Sequence, residues 1–130
     1  KVELNTVGDY QMFANERDNK NYDIFVGGWF SDYNDPLDFL NVMKTGVYDS
    51  YGLYSNSEYD SLIDSLTGEN DNAKRLEIYQ KLEDLLVAQD CGVAPLYYSD
   101  KHYYYQNWVK DFYTSSFGAS QELYRASVQK

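Results

Sequence analysis

Apolar and polar residues follow two periods along this chain, a period of two that is typical of strands and a period near 3.6 that is typical of helices. Strand patterns or strand compositions cover Val2–Thr6, Tyr22–Val26, Val93–Tyr98 and His102–Tyr105. Helical patterns cover Gly8–Asn19, Leu37–Met43, Tyr59–Leu66 and Leu76–Leu86. Helices and about four strands in mixed order predict an α/β fold, with a mixed sheet flanked by helices.

Local signals mark where the later helices begin and end. Asp35 before Pro36 predicts a helix start, with the aspartate as N-cap and the proline in the first helical position. Ser55 or Asn56 is expected to cap the next helix, and Asn70 or Asp71 the one after it. Gly46 follows the Leu37–Met43 pattern where a glycine commonly terminates a helix. The apolar positions expected to face inward on the last helix are Leu76, Tyr79, Leu82 and Leu86.

The strands have individual signatures. Val2–Thr6, the first helix and Tyr22–Val26 form a predicted β-α-β unit, which requires parallel strands and a right-handed crossover. Tyr22–Val26 has the composition of an inner strand covered on both faces. Pro95 lacks a backbone N–H, so Val93–Tyr98 is expected at a sheet edge, followed by a hairpin into His102–Tyr105. Residues 48–56 read as loop, and residues 111–130 as loop with at most one short element.

The stretch from Tyr22 to Leu40 concentrates the candidate chemistry. Gly27 and Gly28 end the predicted strand, where the backbone must turn sharply or approach another group closely. Trp29, Phe30 and Asp32 follow at once. Ligands of open α/β sheets lie beyond the carboxyl ends of the strands, so these side chains are expected at a ligand site.

Asp32 is the candidate receptor for an ammonium group. Its neighbours Trp29, Phe30 and Tyr33 would lower the local dielectric and offer cation–π contact, while the carboxylate pairs with the cation directly. A turn or cap role for Asp32 remains open at this level. Asp35 is explained as a cap, and Asp38 as an acidic residue in the first helical turn, favoured by the helix dipole.

Composition narrows the function classes. The 130 residues carry 11 Lys and Arg against 21 Asp and Glu, a formal charge of −10 that disfavours nucleic acid and anionic lipid and favours amine-bearing partners. Fifteen tyrosines suit recognition of peptides or sugars, although many could simply pack. The single cysteine, Cys91, excludes an intrachain disulfide and any multi-cysteine zinc site. No stretch is long and apolar enough for a membrane span.

Metal binding and catalysis are not predicted. Asp32, Asn34 and Asp38 resemble part of a calcium loop, but Pro36 stands where a ligand is needed and the loop lacks its glycine. His102 has no second histidine and no nucleophile motif near it. Because no acid, base and nucleophile come together, we predict no enzyme and no cofactor.

A family resemblance emerges from these residues together. Tyr22-Asp23-Ile24, Gly28-Trp29, Asp32-Tyr33, Pro36 and Phe39-Leu40, in this spacing, resemble the C-terminal lobe of the extracellular solute-binding proteins (family 5) of oligopeptide and dipeptide ABC transporters. The segments VELNTVGDYQMF, SNSEYDSLID, NDNAKRLEIYQKLEDLL and VAPLYYSDKHYY follow in the order of that family. The resemblance covers residues 1–113 and leaves 114–130 as a C-terminal tail.

The resemblance implies a lobe of the type II periplasmic-binding-protein kind, the last third of a two-lobed receptor that closes on short peptides. Asp32 matches the family's aspartate that holds the peptide's free amino terminus. Main-chain groups around Gly28 and Phe30 match positions that pair with the peptide backbone, and Trp29 would pack near the pocket. The implied binding residues are Gly28, Trp29, Phe30, Ser31, Asp32 and Tyr33.

The implied partners are a short peptide and the membrane permease subunits of the transporter. The implied location is the periplasm or the outer face of the cytoplasmic membrane, with membrane contact only through an anchor outside this stretch. Val26 departs from the pattern, because peptide binders of the family can carry an arginine at that position. A carbohydrate-binding or other small-solute module, and a sensor domain that reuses the lobe, are the alternative functions.

Overall fold

A computed structural model describes residues 1–47, 52–118 and 123–129 of the chain. Four α-helices lie in these ranges: α1 Tyr10–Asp18, α2 Leu37–Leu40, α3 Ser57–Ser65 and α4 Asn72–Glu83. A 3₁₀ turn, Asn41–Met43, extends α2, and a π-helical segment, Asp84–Gln89, extends α4. Two short strands follow, β1 Val109–Lys110 and β2 Ser127–Val128.

Side-chain caps explain where the helices start. Asp9 accepts a hydrogen bond from the N–H of Met12 (2.8 Å) at α1. Asn56 rather than Ser55 caps α3, accepting from the N–H groups of Glu58 and Tyr59. Asp71 caps α4. Each cap satisfies N–H groups that have no partner within the helix. The predicted caps of α3 and α4 are confirmed, whereas α1 begins at Tyr10 and not at the predicted Gly8.

Tyr59 and Leu82 lie at the centre of the hydrophobic core, and both are fully buried. The core joins α2, α3, α4 and the π-helical segment through Leu40, Tyr59, Ile63, Leu66, Tyr79, Leu82, Leu85 and Leu86. The hydroxyl of Tyr59 donates to the carbonyl of Leu40 (2.7 Å), which ties α3 to the end of α2. Burial raises the pKa of this tyrosine, since a buried phenolate would lose its hydration.

One inward-facing position on α4 was predicted wrongly. Leu76 is 57% exposed, whereas Ile78, which lies on another part of the helix surface, packs against the core. Tyr79, Leu82 and Leu86 are buried as predicted. At 3.6 residues per turn, Leu76 lies about 120° around the α4 axis from Leu82, which leaves it outside the stripe that faces the core.

The sheet is far smaller than predicted. Within the described ranges it consists of β1 and β2, which pair antiparallel with Val109 opposite Val128 and Lys110 opposite Ser127. The tail thus contributes one short strand, as predicted for residues 111–130, of which 119–122 and 130 lie outside the described residues. Helices with this two-stranded sheet agree with an α/β lobe only in coarse outline.

The four predicted strands do not form in the described part of the chain. Residues 2–6, 22–26, 93–98 and 102–105 are irregular, with no ladder in the described part of the chain. The predicted β-α-β unit and the hairpin are therefore also absent from it. Val2 and Ile24 are 92% and 88% exposed. A strand's hydrogen bonds require a neighbouring strand, and these segments have none among the described residues.

The predicted loop at 48–56 is described only from residue 52 onward, because residues 48–51 lie outside the described residues. Residues 52–56 are irregular, as predicted. Gly46 has a positive φ of 77°, which suits a glycine just past a helix end. None of the helices in the described ranges combines the length and the apolar character needed to cross a membrane.

Candidate functional site

The loop between Gly27 and Pro36, which we call the site loop, contains every predicted binding residue. Asp38, in the first turn of α2, is 7% exposed and lies beneath the loop. Its Oδ2 atom accepts one hydrogen bond from Nε1 of Trp29 (3.1 Å) and another from the backbone N–H of Asp32 (2.9 Å). A single buried carboxylate oxygen therefore fixes both a side chain and the backbone of the predicted site.

Asp35 attaches the far end of the site loop to α4. Its carboxylate accepts from the N–H of Leu37 (2.9 Å), from the hydroxyl of Tyr79 (2.6 Å) and from the guanidinium of Arg75 (2.6 Å). The predicted capping role is confirmed by the bond from Leu37. The contacts to Arg75 and Tyr79, about 40 residues away in sequence, could not be read from local pattern.

Charge and hydrogen bonding at Asp35 shift two pKa values. Burial alone would raise the pKa of the Asp35 carboxyl, but the bonds from Tyr79 and Leu37 and the charge of Arg75 outweigh burial and hold it below its ordinary value. Burial, together with the neighbouring carboxylate, raises the pKa of Tyr79 to about 12. The group is therefore an ion pair with a neutral phenol at physiological pH.

Gly118 lies against the middle of the site loop. Its N–H donates to the carbonyl of Ser31 (2.7 Å), and its φ of 63° is one that only glycine adopts easily. A Cβ atom at this position would lie 3.1 Å from the carbonyl oxygen of Asp32, so a side chain there would also crowd the loop. The hydroxyl of Ser31 donates to the carbonyl of Tyr33 and stiffens the turn.

The outward side of the site loop is aromatic and acidic. Phe30 and Tyr33 are 61% and 46% exposed, and the Asp32 side chain is exposed with no hydrogen bond or ion pair to another described residue. The ammonium of Lys101 lies 4.6 Å from the centre of the Phe30 ring. Loop chemistry of this kind can bind a cation, and in this structure the cation against the ring is the chain's own lysine.

Gly28, one of the two glycines predicted to end a strand, has open surroundings. A Cβ added to Gly28 would meet no atom within 4 Å, which leaves room for another backbone to approach. The backbone N–H and C=O of Phe30 form no hydrogen bond within the described part of the chain. The pairing of a peptide backbone along this stretch stays a prediction.

Two residues that hold the site loop were missed by sequence reasoning. Asp38 was explained as a helix-dipole residue, and Gly118 received no role. The signal for Asp38 was its position six residues after Asp32 and nine after Trp29, on the first turn of a helix that must pack beneath the loop. Gly118 gave no such signal, because it lies in a stretch without periodicity.

In residues 1–47, 52–118 and 123–129, no group of three or more His, Cys, Asp or Glu side chains is placed to hold a metal ion. His102 is exposed, and Asp32 and Asp38 do not converge, because Asp38 is directed inward to its two N–H donors.

Comparison with known proteins gives these observations a context. No protein-family model matches the chain. It is 30% identical over 101 residues to the periplasmic oligopeptide-binding protein OppA of Salmonella typhimurium, a match that covers 78% of this chain and 18% of the relative. It is also 30% identical over 112 residues to the oligopeptide-binding protein OppA of Bacillus subtilis, which covers 85% of this chain and 19% of the relative.

Among solved structures, the chain is similar to the pheromone receptor PrgZ, which binds peptide. The TM-score is 0.77 at 27% identity, and the match covers 96% of this chain and 24% of the receptor chain. The chain is homologous to the oligopeptide-binding proteins. The resemblance to family 5 of the solute-binding proteins is thereby confirmed. The chain spans under one fifth of the length of the two oligopeptide-binding relatives.

Proposed function

We propose that this chain is the C-terminal portion of the substrate-binding component of a peptide-importing ABC transporter, and that the complete protein binds short peptides through their backbone and free amino terminus. Residues 1–113 form the core of a type II binding lobe, in which helices flank a mixed sheet that is larger in the complete protein, and residues 114–130 form its tail. The homology to oligopeptide-binding proteins supports this assignment.

The exposed carboxylate of Asp32 carries the proposal. Its backbone is held by Asp38, its side chain has no described partner, and it stands in a loop with the exposed rings of Phe30 and Tyr33. A fixed anion beside aromatic surface attracts an ammonium group more strongly than a solvated carboxylate does, because closure over the ligand removes water. Gly28, Trp29, Phe30 and Ser31 complete the binding stretch, with Gly28 and Phe30 pairing to the peptide backbone.

Calorimetry on the complete protein tests this role. A short peptide with a free amine should bind, and its N-acetylated form should bind at least about tenfold more weakly, because a charge-assisted hydrogen bond contributes roughly 1.5–3 kcal/mol. Asp32→Asn should weaken the free-amine peptide and leave the acetylated one nearly unchanged. Equal affinity for both forms, or full affinity in Asp32→Asn, would remove Asp32 from the proposed role.

The partners follow from the assignment. The permease subunits of the transporter would receive the peptide-loaded protein, and nucleic acid is not a partner. The relatives named periplasmic support a location in the periplasm or on the outer face of the cytoplasmic membrane, with any membrane anchor outside these residues. Since the relatives are binding proteins, we assign no enzymatic reaction and no cofactor.

Exposed tyrosines favour one second candidate, a carbohydrate or other small solute. Tyr97 and Tyr98 are 81% and 98% exposed, and exposed rings stack on sugars. A glycan array and a peptide library applied to the same protein separate the two candidates. Binding to glycans alone would replace the peptide assignment.

A further inference from the structure

The buried carboxylate of Asp38 has no function in the binding chemistry described above. It is the sole buried charged residue in the described ranges, at 7% exposed. Burying a carboxylate is costly unless strong hydrogen bonds compensate for its lost hydration. Its two described donors, the Trp29 indole and the Asp32 N–H, both belong to the site loop.

Helix formation does not account for Asp38. The start of α2 is already served by Asp35, whose carboxylate accepts from the N–H of Leu37 and whose carbonyl accepts from the N–H of Asp38. An acidic residue in the first turn gains dipole stabilisation at an exposed position as well, so the dipole gives no reason for burial. The burial of Asp38 is explained by its hydrogen bonds to the Trp29 indole and the Asp32 N–H.

The two donors bracket the exposed part of the loop. Trp29 and Asp32 stand at the two ends of a four-residue stretch, and Phe30 and Ser31 lie between them. With the Asp32 N–H bonded inward to Asp38, rotation of the Asp32 backbone is restricted, and its carboxylate remains on the exposed side. The indole is likewise fixed in the wall of the loop.

We infer that Asp38 is a positioning residue for peptide binding. One of its oxygens holds both the Asp32 backbone and the Trp29 indole, so that the Asp32 carboxylate is already in position when the ligand's ammonium binds. The inference rests on the proposed function. It extends that function by assigning the geometry of the ammonium site to a residue that does not touch the ligand. Preorganisation of this kind raises affinity because less conformational freedom is lost on binding.

Three variants of the complete protein test the inference. Asp38→Leu removes both carboxylate oxygens and should weaken a free-amine peptide about 10- to 100-fold. Asp38→Asn keeps one acceptor oxygen without the charge, and an intermediate loss of about three- to tenfold is expected. Asp60→Leu is the matched control, because Asp60 also lies in a first helical turn and accepts a loop N–H, that of Thr45 (3.0 Å), away from the site loop. It should leave affinity unchanged.

A double-mutant cycle separates positioning from general destabilisation. In an Asp32→Asn background, Asp38→Leu should cost little further affinity, because the group that it positions is already gone. N-acetylated peptide should respond weakly to Asp38→Leu in either background. The indole N–H resonance of Trp29 should shift in both Asp38 variants and stay in place in Asp60→Leu, a readout that needs no ligand.

The outcomes are distinguishable. Full affinity for free-amine peptide in both Asp38 variants, with Asp32→Asn impaired, would overturn the inference and leave the proposed function standing. Equal losses for free and acetylated peptide, additive with Asp32→Asn, would also overturn it, by indicating a purely structural role. A wild-type protein that binds no peptide would overturn the inference together with the proposed function. Should Asp38→Leu fail to fold, Asp38→Asn decides the question with the same pair of peptides.

Discussion

The helical region from residue 37 to 93 and the extended segments around it differ in how they satisfy their backbones. Helices α3 and α4 bond their own N–H and C=O groups and bury one face each, with Tyr59 and Leu82 fully enclosed. Residues 22–26 have strand composition, yet Ile24 and Val26 are 88% and 72% exposed and no ladder forms among the described residues. Local hydrogen bonds make a helix predictable from its own residues, while a strand depends on a neighbour elsewhere.

The site loop lies where these two regions meet. Its anchors lie at the start of α2: Asp35 pairs with Arg75 of α4, and Asp38 bonds the Trp29 indole and the Asp32 N–H. The helical region thus provides stability, and recognition is proposed for the loop that it holds. The predictions below test this division, from the largest expected effect to the smallest.

The strongest test of the division is within α4 itself. Leu82→Ala removes a fully buried side chain and should lower the free energy of unfolding by about 2–5 kcal/mol, since it leaves a cavity. Leu76→Ala is the matched control on the same helix, because Leu76 is 57% exposed, and it should change stability by less than about 1 kcal/mol. Denaturant titration followed by circular dichroism measures both, and similar losses would contradict the assigned core.

The next test concerns the ion pair that joins the site loop to α4. Asp35→Asn should lower stability at neutral pH by about 1–3 kcal/mol, because it removes the charge paired with Arg75. The folded-state pKa of Asp35 is below 3.8, so the wild-type advantage is fully present above that pH and is lost as pH falls through the lower folded-state value.

The measurement is the unfolding free energy of both proteins from pH 7 to pH 2.5. The difference between them should shrink in the acid range. Asp64→Asn is the control, because Asp64 pairs with Lys44 but its side chain is 66% exposed, and a surface pair of this kind contributes about 0.5 kcal/mol or less. A constant difference across the whole pH range would show that the charge of Asp35 does not stabilise the fold.

Hydrogen exchange sharpens the contrast between helix and strand. In the 130-residue chain, amides of α4 within the core should exchange slowly, and those of residues 22–26 should exchange near the rate of an unstructured peptide. In the complete protein, protection at 22–26 should rise by orders of magnitude if the rest of the sheet supplies the neighbouring strand. Unchanged fast exchange there would refute the larger sheet proposed for the lobe.

The smallest expected effect concerns Lys101. Its ammonium occupies the face of Phe30 and adds positive charge near the proposed ammonium site. Lys101→Met should therefore strengthen the binding of a free-amine peptide by about two- to fivefold, a gain that diminishes at high salt. Lys81→Met, the same change on α4, should have no effect. A loss of affinity in Lys101→Met would mean that the lysine contacts the ligand favourably.

Sequence reasoning succeeded where a residue's environment is local. The capping roles of Asp35, Asn56 and Asp71 follow from neighbours within three positions, and the structure has each of them at a helix start. The buried stripe on α4 was predicted from Tyr79 onward, and only Leu76 was misplaced. A three-residue spacing from Tyr79 suggests one face, but at 3.6 residues per turn Leu76 lies away from the centre of the stripe.

Sequence reasoning failed where the partner is distant. The strand prediction at 22–26 rested on composition and could not supply the ladder. Asp38 was explained by its own helix, although its burial depends on Trp29 and Asp32, and Gly118 contacts Ser31 from 87 positions away. The six predicted binding residues do share one loop, and their contacts with a ligand remain a prediction.

The most direct test of the central claim is a crystal structure of the complete protein with a short free-amine peptide. The account predicts the peptide's ammonium within about 2.7–2.9 Å of the Asp32 carboxylate, with Asp38 still bonded to the Trp29 indole and to the Asp32 N–H. A peptide bound elsewhere, or an Asp32 side chain turned away from its amino terminus, would contradict the account.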